Sequence, residues 1–280
     1  VAGQWLAERL IVRRHIALLG AGDGEHQAFM ARQQRLLDRG QDLIGITIET
    51  RAVLGRMGIG NGLVVAVEQV VQAGACALVT ERVLDIDVPQ LVVTDTRLAL
   101  GALGRAWRHK FDLKVLAVVG SNGKTTVKGM IQSIFESAVG IDKALATQGN
   151  FNNEIGLPLT LLRLDLNHEL AVIELGMNHP GETALLANIA KPTIALINNA
   201  QREHQEFMET VDAVAQEHAL AIKALPTNGV AVYPADSEYS AYWKKISDQR
   251  RVIDFAFNQT ATVWGEWLDQ VTGLMAIHTP

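Results

Sequence analysis

A chain of 280 residues with 48% hydrophobic and 20% charged side chains is long enough for two domains and too apolar to stay disordered. Its formal net charge of -5, with no long basic run, argues against a nucleic-acid partner, and its single cysteine, Cys76, excludes an internal disulfide and a cysteine-based zinc site. The longest apolar runs, such as 63–67 and 115–119, are far too short to span a bilayer, so no membrane insertion is expected. The first ten residues mix charges into a short amphipathic pattern, unlike the basic-then-apolar layout of a secretion signal, and cytoplasmic residence is the expectation.

Short β-like runs alternate with amphipathic stretches, which predicts an α/β fold with a mostly parallel sheet. The first strand, His15 to Leu19, enters Gly20-Ala21-Gly22-Asp23-Gly24. A dinucleotide loop would need its third glycine where Glu25 stands, so a structural turn is expected there. A helix follows over 25–38, then strands at 63–67, 77–80 and 90–93, and a helix from Leu98 to His109. The charged segment from Arg108 to Lys114 places a domain boundary, giving one domain over 1–112 and a second over 113–280. In the second domain, strands are expected at 115–119, 170–174, 193–197 and 229–233, with a clear helix from Val211 to Leu225 closed by Pro226-Thr227-Asn228-Gly229. Two alternating strands, 260–264 and 271–278, end the chain.

The most informative run is Val115 to Val119 followed by Gly120-Ser121-Asn122-Gly123-Lys124-Thr125-Thr126. Glycines at 120 and 123 allow the backbone to turn its N–H groups around phosphate oxygens, and the following helix aims the positive end of its dipole at the same place. Lys124 can reach the outer phosphates and the Thr125 hydroxyl can ligate Mg²⁺. The general P-loop spacing wants a further glycine where Val118 stands, so this is a shorter variant in the right strand-to-helix context.

Further polar clusters follow. Gly149-Asn150-Phe151-Asn152-Asn153-Glu154 could contact a sugar, phosphate or peptide, and a capping turn before a helix at Thr160 explains the asparagines equally well. Glu174 ends an apolar strand, on the rim where open α/β sheets bind ligands, and has the hard oxygens that a Mg²⁺ site needs. Asn198-Asn199-Ala200-Gln201-Arg202-Glu203-His204 follows another strand, where His204 could complete a metal site or contact a phosphate, or serve as a surface or capping residue. Gln216-Glu217-His218 lies inside the later helix, where exposure is expected.

Taken in order, these clusters resemble the Mur ligase family, the ATP-dependent amide ligases of peptidoglycan precursor synthesis, and within it the members that add D-alanyl-D-alanine. The resemblance rests on Gly120 to Thr126, Gly149 to Pro158, Glu174 to Glu182 and Asn198 to His204, and it extends upstream through Ala73 to Leu78 and Pro89 to Arg97. It implies an N-terminal UDP-substrate-binding α/β domain at 1–112 and a central P-loop ATPase domain at 113–280. The central domain is expected to be incomplete at its C-terminal end, and the family's C-terminal domain to be absent. It also implies the reaction: ATP phosphorylates the terminal carboxylate of a UDP-N-acetylmuramoyl tripeptide, and D-alanyl-D-alanine attacks the acyl phosphate. In that scheme Gly120, Ser121, Asn122, Gly123, Lys124, Thr125 and Thr126 bind ATP, while Lys124, Glu174 and His204 are catalytic. Thr125 and Glu174 hold the first Mg²⁺, His204 supports a second, and Asn150, Asn152 and Asn153 lie towards the UDP-muramoyl substrate. A monomer is expected. Many family members carry a carbamate-modified lysine where His218 stands, and a histidine cannot take that modification. A nucleotide-binding module without turnover, and a related Mur-type ligase using another amino substrate, remain the alternatives.

Overall fold

A computed structural model of the chain describes Ala75 and residues 77–280, together with the backbone of two short strands nearer the N-terminus. The expected helix at 25–38, the strand at 63–67 and the glycine turn at 20–24 lie outside the described residues. The chain divides into two compact units, Val1–Ala106 and Trp107–Pro280.

In the first unit, β1 (Ile16–Leu18), β2 (Thr47–Ile48), β3 (Ala77–Thr80) and β4 (Gln90–Val92) form a sheet in the order β2-β1-β3-β4. All three pairings are parallel. Leu78 and Ala75 are buried beneath Leu84, Ile86 and Val88. The Gln90 amide closes that loop by accepting from Leu84 N and donating to Leu84 O, both at 2.8 Å. Helix α1 (Thr96–Arg108) starts where the Asp95 carboxylate accepts from Arg97 N at 2.8 Å and Leu98 N at 3.0 Å, the usual way of satisfying orphan donors at a helix start.

The division between units falls inside α1, six residues before the boundary expected from charge. Its last two residues belong to the second unit and are bonded within it: Trp107 Nε1 donates to Leu164 O at 2.9 Å, and the buried Arg108 guanidinium donates to the carbonyls of Ala190, Phe111, Leu113 and Lys191. Burial pushes the Arg108 pKa down, against the raising influence of Asp112. Four carbonyl acceptors make this charged residue part of the framework.

The second unit is built on eight strands: β5 (Lys114–Val119), β6 (Ala144–Ala146), β7 (Leu170–Glu174), β8 (Ile194–Ile197), β9 (Val230–Pro234), β10 (Arg251–Phe257), β11 (Val263–Asp269) and β12 (Leu274–His278). Their order is β12-β11-β10-β9-β8-β5-β7-β6, parallel throughout except for the β11–β12 pair. Side chains alternate across β5, so each face receives a different set. Leu116 and Val118 meet Val127, Ile131 and Phe135 of α2 (Lys124–Val139). Val115, Ala117 and Val119 join the larger core with residues of α3 (Gly156–Leu161), α4 (Glu182–Ala190), α6 (Val211–Lys223) and α7 (Ser240–Ser247). The short α5 (Gln205–Met208) precedes α6. Helices on both faces explain why these strands read as continuous apolar runs.

Trp243 of α7 is fully buried, donates Nε1–H to Ala215 O at 3.1 Å, and lies 6.0 Å and 5.9 Å, centroid to centroid, from Tyr233 and Tyr239. Trp243→Ala should therefore lower unfolding free energy by about 3–5 kcal/mol, read as a shift in urea midpoint at constant slope.

Two expectations need correction. The final strands are β11 and β12, rather than 260–264 and 271–278. Val271 lies in the turn between them, 96% exposed, because Asp269 accepts from Val271 N and the Thr272 hydroxyl, and Gly273 takes φ +72°. The Gln216-Glu217-His218 stretch also departs from expectation, since Glu217 and His218 are buried. The Glu217 carboxylate accepts from Gly181 N and Thr183 N at 2.9 and 2.8 Å, satisfying donors at the start of α4.

Candidate functional site

The site forms where the strand order reverses. β5 lies between β7 and β8, with Val118 opposite Glu174 and Val119 opposite Ile197. The carboxyl ends of all three strands therefore deliver Gly120, Glu174 and Asn198 to one crevice, the position at which open α/β sheets bind ligands.

Gly120 takes φ +145°, and a Cβ there would stand 2.9 Å from Asn198 Cβ and 3.2 Å from Asn199 N. Gly123 takes φ +74° at the N-cap of α2, a conformation with no penalty only for glycine. The loop is tied to the segment after β8 by a side-chain lattice. Asn122 N donates to Asn199 Oδ1 at 3.0 Å, and Asn122 O accepts from Asn198 Nδ2 at 2.7 Å and Asn199 Nδ2 at 3.0 Å. Ser121 Oγ and Gln201 exchange bonds through the Gln201 backbone, and Asn122 Nδ2 donates to Gln201 Oε1 at 2.7 Å. No side chain caps the start of α2, so its first amides and dipole face the loop without a built-in anion.

Lys124 Nζ donates to Gly120 O and lies 3.8 Å from the Glu203 carboxylate. The next residue, Thr125, donates its hydroxyl to Glu174 Oε2 at 3.0 Å, while Asn152 Nδ2 donates to Glu174 Oε1 at 2.8 Å. Glu174 is 2% exposed. Its backbone N–H donates to Thr147 Oγ1 at 3.0 Å, and Thr147 O in turn accepts from the buried Lys128 Nζ at 2.8 Å.

The expected site residues therefore separate into groups. Gly120 to Thr126, Glu174 and Asn152 converge. Asn152 bonds the strand-end carboxylate itself, a placement that the asparagine-rich composition did not reveal. Asn153 Oδ1 accepts from Ile155 N and Gly156 N at 3.2 and 2.8 Å, starting α3, as in the capping alternative. Asn150 is exposed, with its carbonyl accepting from Asn152 N at 2.7 Å. His204 is half-buried, at φ +44°, and its carbonyl accepts from Phe207 N and Met208 N at the start of α5. No hydrogen bond or ion pair joins it to Thr125 or Glu174, and no cluster of three or more His, Cys, Asp or Glu is poised around a metal position among the described residues.

Gly176 supports Asn152 by making room for it. A Cβ at 176 would stand 2.8 Å from Asn152 Cγ and Oδ1. Gly176→Ala should displace that amide from Glu174 and destabilise the chain by about 1–3 kcal/mol, measured by denaturant unfolding.

Sequence reasoning left Asn198, Asn199, Gln201 and Glu203 without roles, although they follow a strand on the same rim. It also missed the burial of His218, whose Nε2 lies 3.0 Å from Glu203 Oε1 as an ion-pair contact rather than an aligned hydrogen bond. Burial would push the Glu203 carboxyl up, but His218, the Lys124 charge and the Ser121 hydroxyl outweigh it and hold its pKa below the usual carboxylate range.

The donor set fits a phosphate and a divalent cation. The loop and α2 suit a phosphate anion. Glu174 is a buried carboxylate bonded only to neutral donors, with no cationic side chain within ion-pair distance among the described residues. Such a group is costly unless a cation joins it, and the hard oxygens of Thr125 and Glu174 match Mg²⁺.

A family model described as the Mur ligase middle domain matches residues 118–278. The UDP-N-acetylmuramoyl-tripeptide–D-alanyl-D-alanine ligase of Escherichia coli (strain K12) is 41% identical to this chain over 191 residues, covering 68% of the chain and 42% of that protein. Among solved structures, MurF from Acinetobacter baumannii superposes with a TM-score of 0.66 at 36% identity, covering 71% of this chain and 43% of that one. MurF ligase from Thermotoga maritima, solved in complex with ADP, gives 0.65 at 27% identity, covering 73% and 47%. The chain spans less than half the length of each of these relatives.

Proposed function

This chain belongs to the Mur ligase family, whose middle domain occupies residues 118–278, and from that premise we propose that it acts in joining D-alanyl-D-alanine to a UDP-N-acetylmuramoyl tripeptide at the expense of ATP. The observation that carries the reading is the 3.0 Å bond between Thr125 and Glu174 directly behind Lys124, which sets a cation-ready pair of oxygens beside a phosphate loop. The ADP complex of the Thermotoga maritima relative supports the nucleotide assignment.

In this reaction an oxygen of the tripeptide's terminal carboxylate attacks the γ-phosphorus of ATP, and the bond to the ADP oxygen breaks. The amine of D-alanyl-D-alanine then attacks the acyl carbon, the C–O bond to phosphate breaks, and phosphate and a proton leave. Gly120 to Thr126 cradle the triphosphate. Lys124 counters charge on the transferred group, which makes its contribution electrostatic positioning. Thr125 and Glu174 would hold Mg²⁺, which screens carboxylate from triphosphate so that the two anions can approach. His204 would support a second Mg²⁺, and Asn150, Asn152 and Asn153 would face the UDP-muramoyl substrate. Residues 1–112 would bind the UDP portion, and the same reading takes the chain as a monomer acting in the cytoplasm. No described helix is long and apolar enough to cross a membrane.

Phosphate release measured with ATP, Mg²⁺, UDP-N-acetylmuramoyl tripeptide and D-alanyl-D-alanine tests the proposal. Release that requires both acceptor and amine supports it. ADP binding without release would favour a nucleotide-binding module, and release dependent on another amine would favour a related ligase.

A further inference from the structure

We propose that Glu203 is the resident counter-ion of Lys124, a positioning residue that holds the phosphate-loop lysine until a nucleotide phosphate arrives and takes its place. This rests on the nucleotide-binding reading above. The segment carrying Glu203 is not free to wander, because Asn198, Asn199 and Gln201 bond it to Ser121 and Asn122 of the loop. That lattice brings the Glu203 carboxylate 3.8 Å from Lys124 Nζ, with the two side chains only 10% and 18% exposed, so water competes weakly for either charge.

On its other side the carboxylate meets His218. His218 is 1% exposed, its Nδ1 has no hydrogen-bond partner, and its Nε2 lies 3.0 Å from Glu203 Oε1 as an ion-pair contact without hydrogen-bond alignment. A histidine buried to that degree without framework bonds has its one close polar contact at Glu203, among the described residues. It backs the carboxylate against the lysine.

A carboxylate is an unexpected lining for a phosphate cradle. An incoming phosphate seeks the same ammonium group and is repelled by the charge already paired with it. Lys124 is thereby kept aimed into the site by Glu203 and Gly120 O, at a cost in affinity that nucleotide must overcome. Removing the charge while keeping the shape should strengthen metal-free nucleotide binding, the opposite of what loss of a purely structural contact does.

The test compares wild type, Glu203→Gln and Glu203→Asp, each checked for a native thermal transition. Calorimetric titration with ADP in the absence of metal should show Glu203→Gln binding at least roughly two- to fivefold more tightly than wild type, the low end expected when one ion pair stops competing. Glu203→Asp, which keeps the charge, should stay near wild type. A second readout needs no nucleotide: acetylation of Lys124, followed by peptide mass spectrometry, should be faster in Glu203→Gln. In the wild-type chain, acetylation should change little between low and high salt, because a pair this buried is screened weakly. Unchanged or weaker ADP binding by a folded Glu203→Gln overturns the proposal. Lys124 labelling that does not respond to that substitution does so too. If wild type fails to bind ADP, the nucleotide reading falls, while the labelling comparison still decides whether Glu203 holds Lys124.

Discussion

Lys124→Ala is expected to cut ATP-dependent phosphate release by roughly 10²- to 10³-fold, the effect of removing one preorganised charge from a site where anionic charge shifts during reaction. The size follows from where the ammonium group is held. It reaches back over the loop to Gly120 O and sideways to Glu203, so it is already oriented and little of its interaction with phosphate is lost to ordering. The fold should tolerate the change. Lys124 takes no part in the two apolar cores, and the loop remains bonded to Asn198, Asn199 and Gln201. Phosphate-release kinetics beside a thermal melt separate the two effects. A variant that melts like wild type and keeps full activity would show that the lysine does not meet the transferred phosphate.

The second large effect belongs to Glu174→Gln. This substitution is nearly isosteric but removes the charge on which the proposed cation ligation depends, and it presents an amide N–H₂ where the carboxylate accepted from Thr125 or Asn152. Apparent Mg²⁺ affinity in the phosphate-release assay should fall about 10- to 100-fold, with activity partly recovered at high Mg²⁺. An unchanged Mg²⁺ titration would mean that Glu174 serves only as an acceptor for its two neighbours. The distinction matters because the protein bonds the carboxylate to neutral donors alone, an arrangement stable without metal only at a desolvation cost.

Much of this site was legible in the residues because it depends on local pattern. A buried strand ending in two glycines with positive φ, then Lys-Thr at a helix start, is specified by short-range sterics and by helix polarity. Glu174 was legible for a related reason, since an acidic residue closing an apolar strand must sit at the sheet's rim. What could not be read was pairing across the sheet. Nothing within Asn150 to Asn153 distinguishes Asn152, bonded to a strand-end carboxylate 22 positions away, from its neighbour Asn153, whose side chain accepts from Gly156 N at the start of α3. Glu217 and His218 read as exposed because a polar pair inside a helix is solvated by default. Their burial depends on α4 and on the segment after β8, both supplied by distant sequence. The role of Arg108 was hidden for the same cause, since it satisfies carbonyls as far away as Lys191.

These observations converge on one physical claim, that the crevice at the ends of β5, β7 and β8 is a nucleotide site whose cation is held by Thr125 and Glu174. Calorimetric titration of the wild-type chain with ADP, with and without Mg²⁺, addresses it most directly. The account predicts one-to-one binding that tightens when Mg²⁺ is present. Absence of ADP binding under both conditions, or binding indifferent to Mg²⁺, would contradict it.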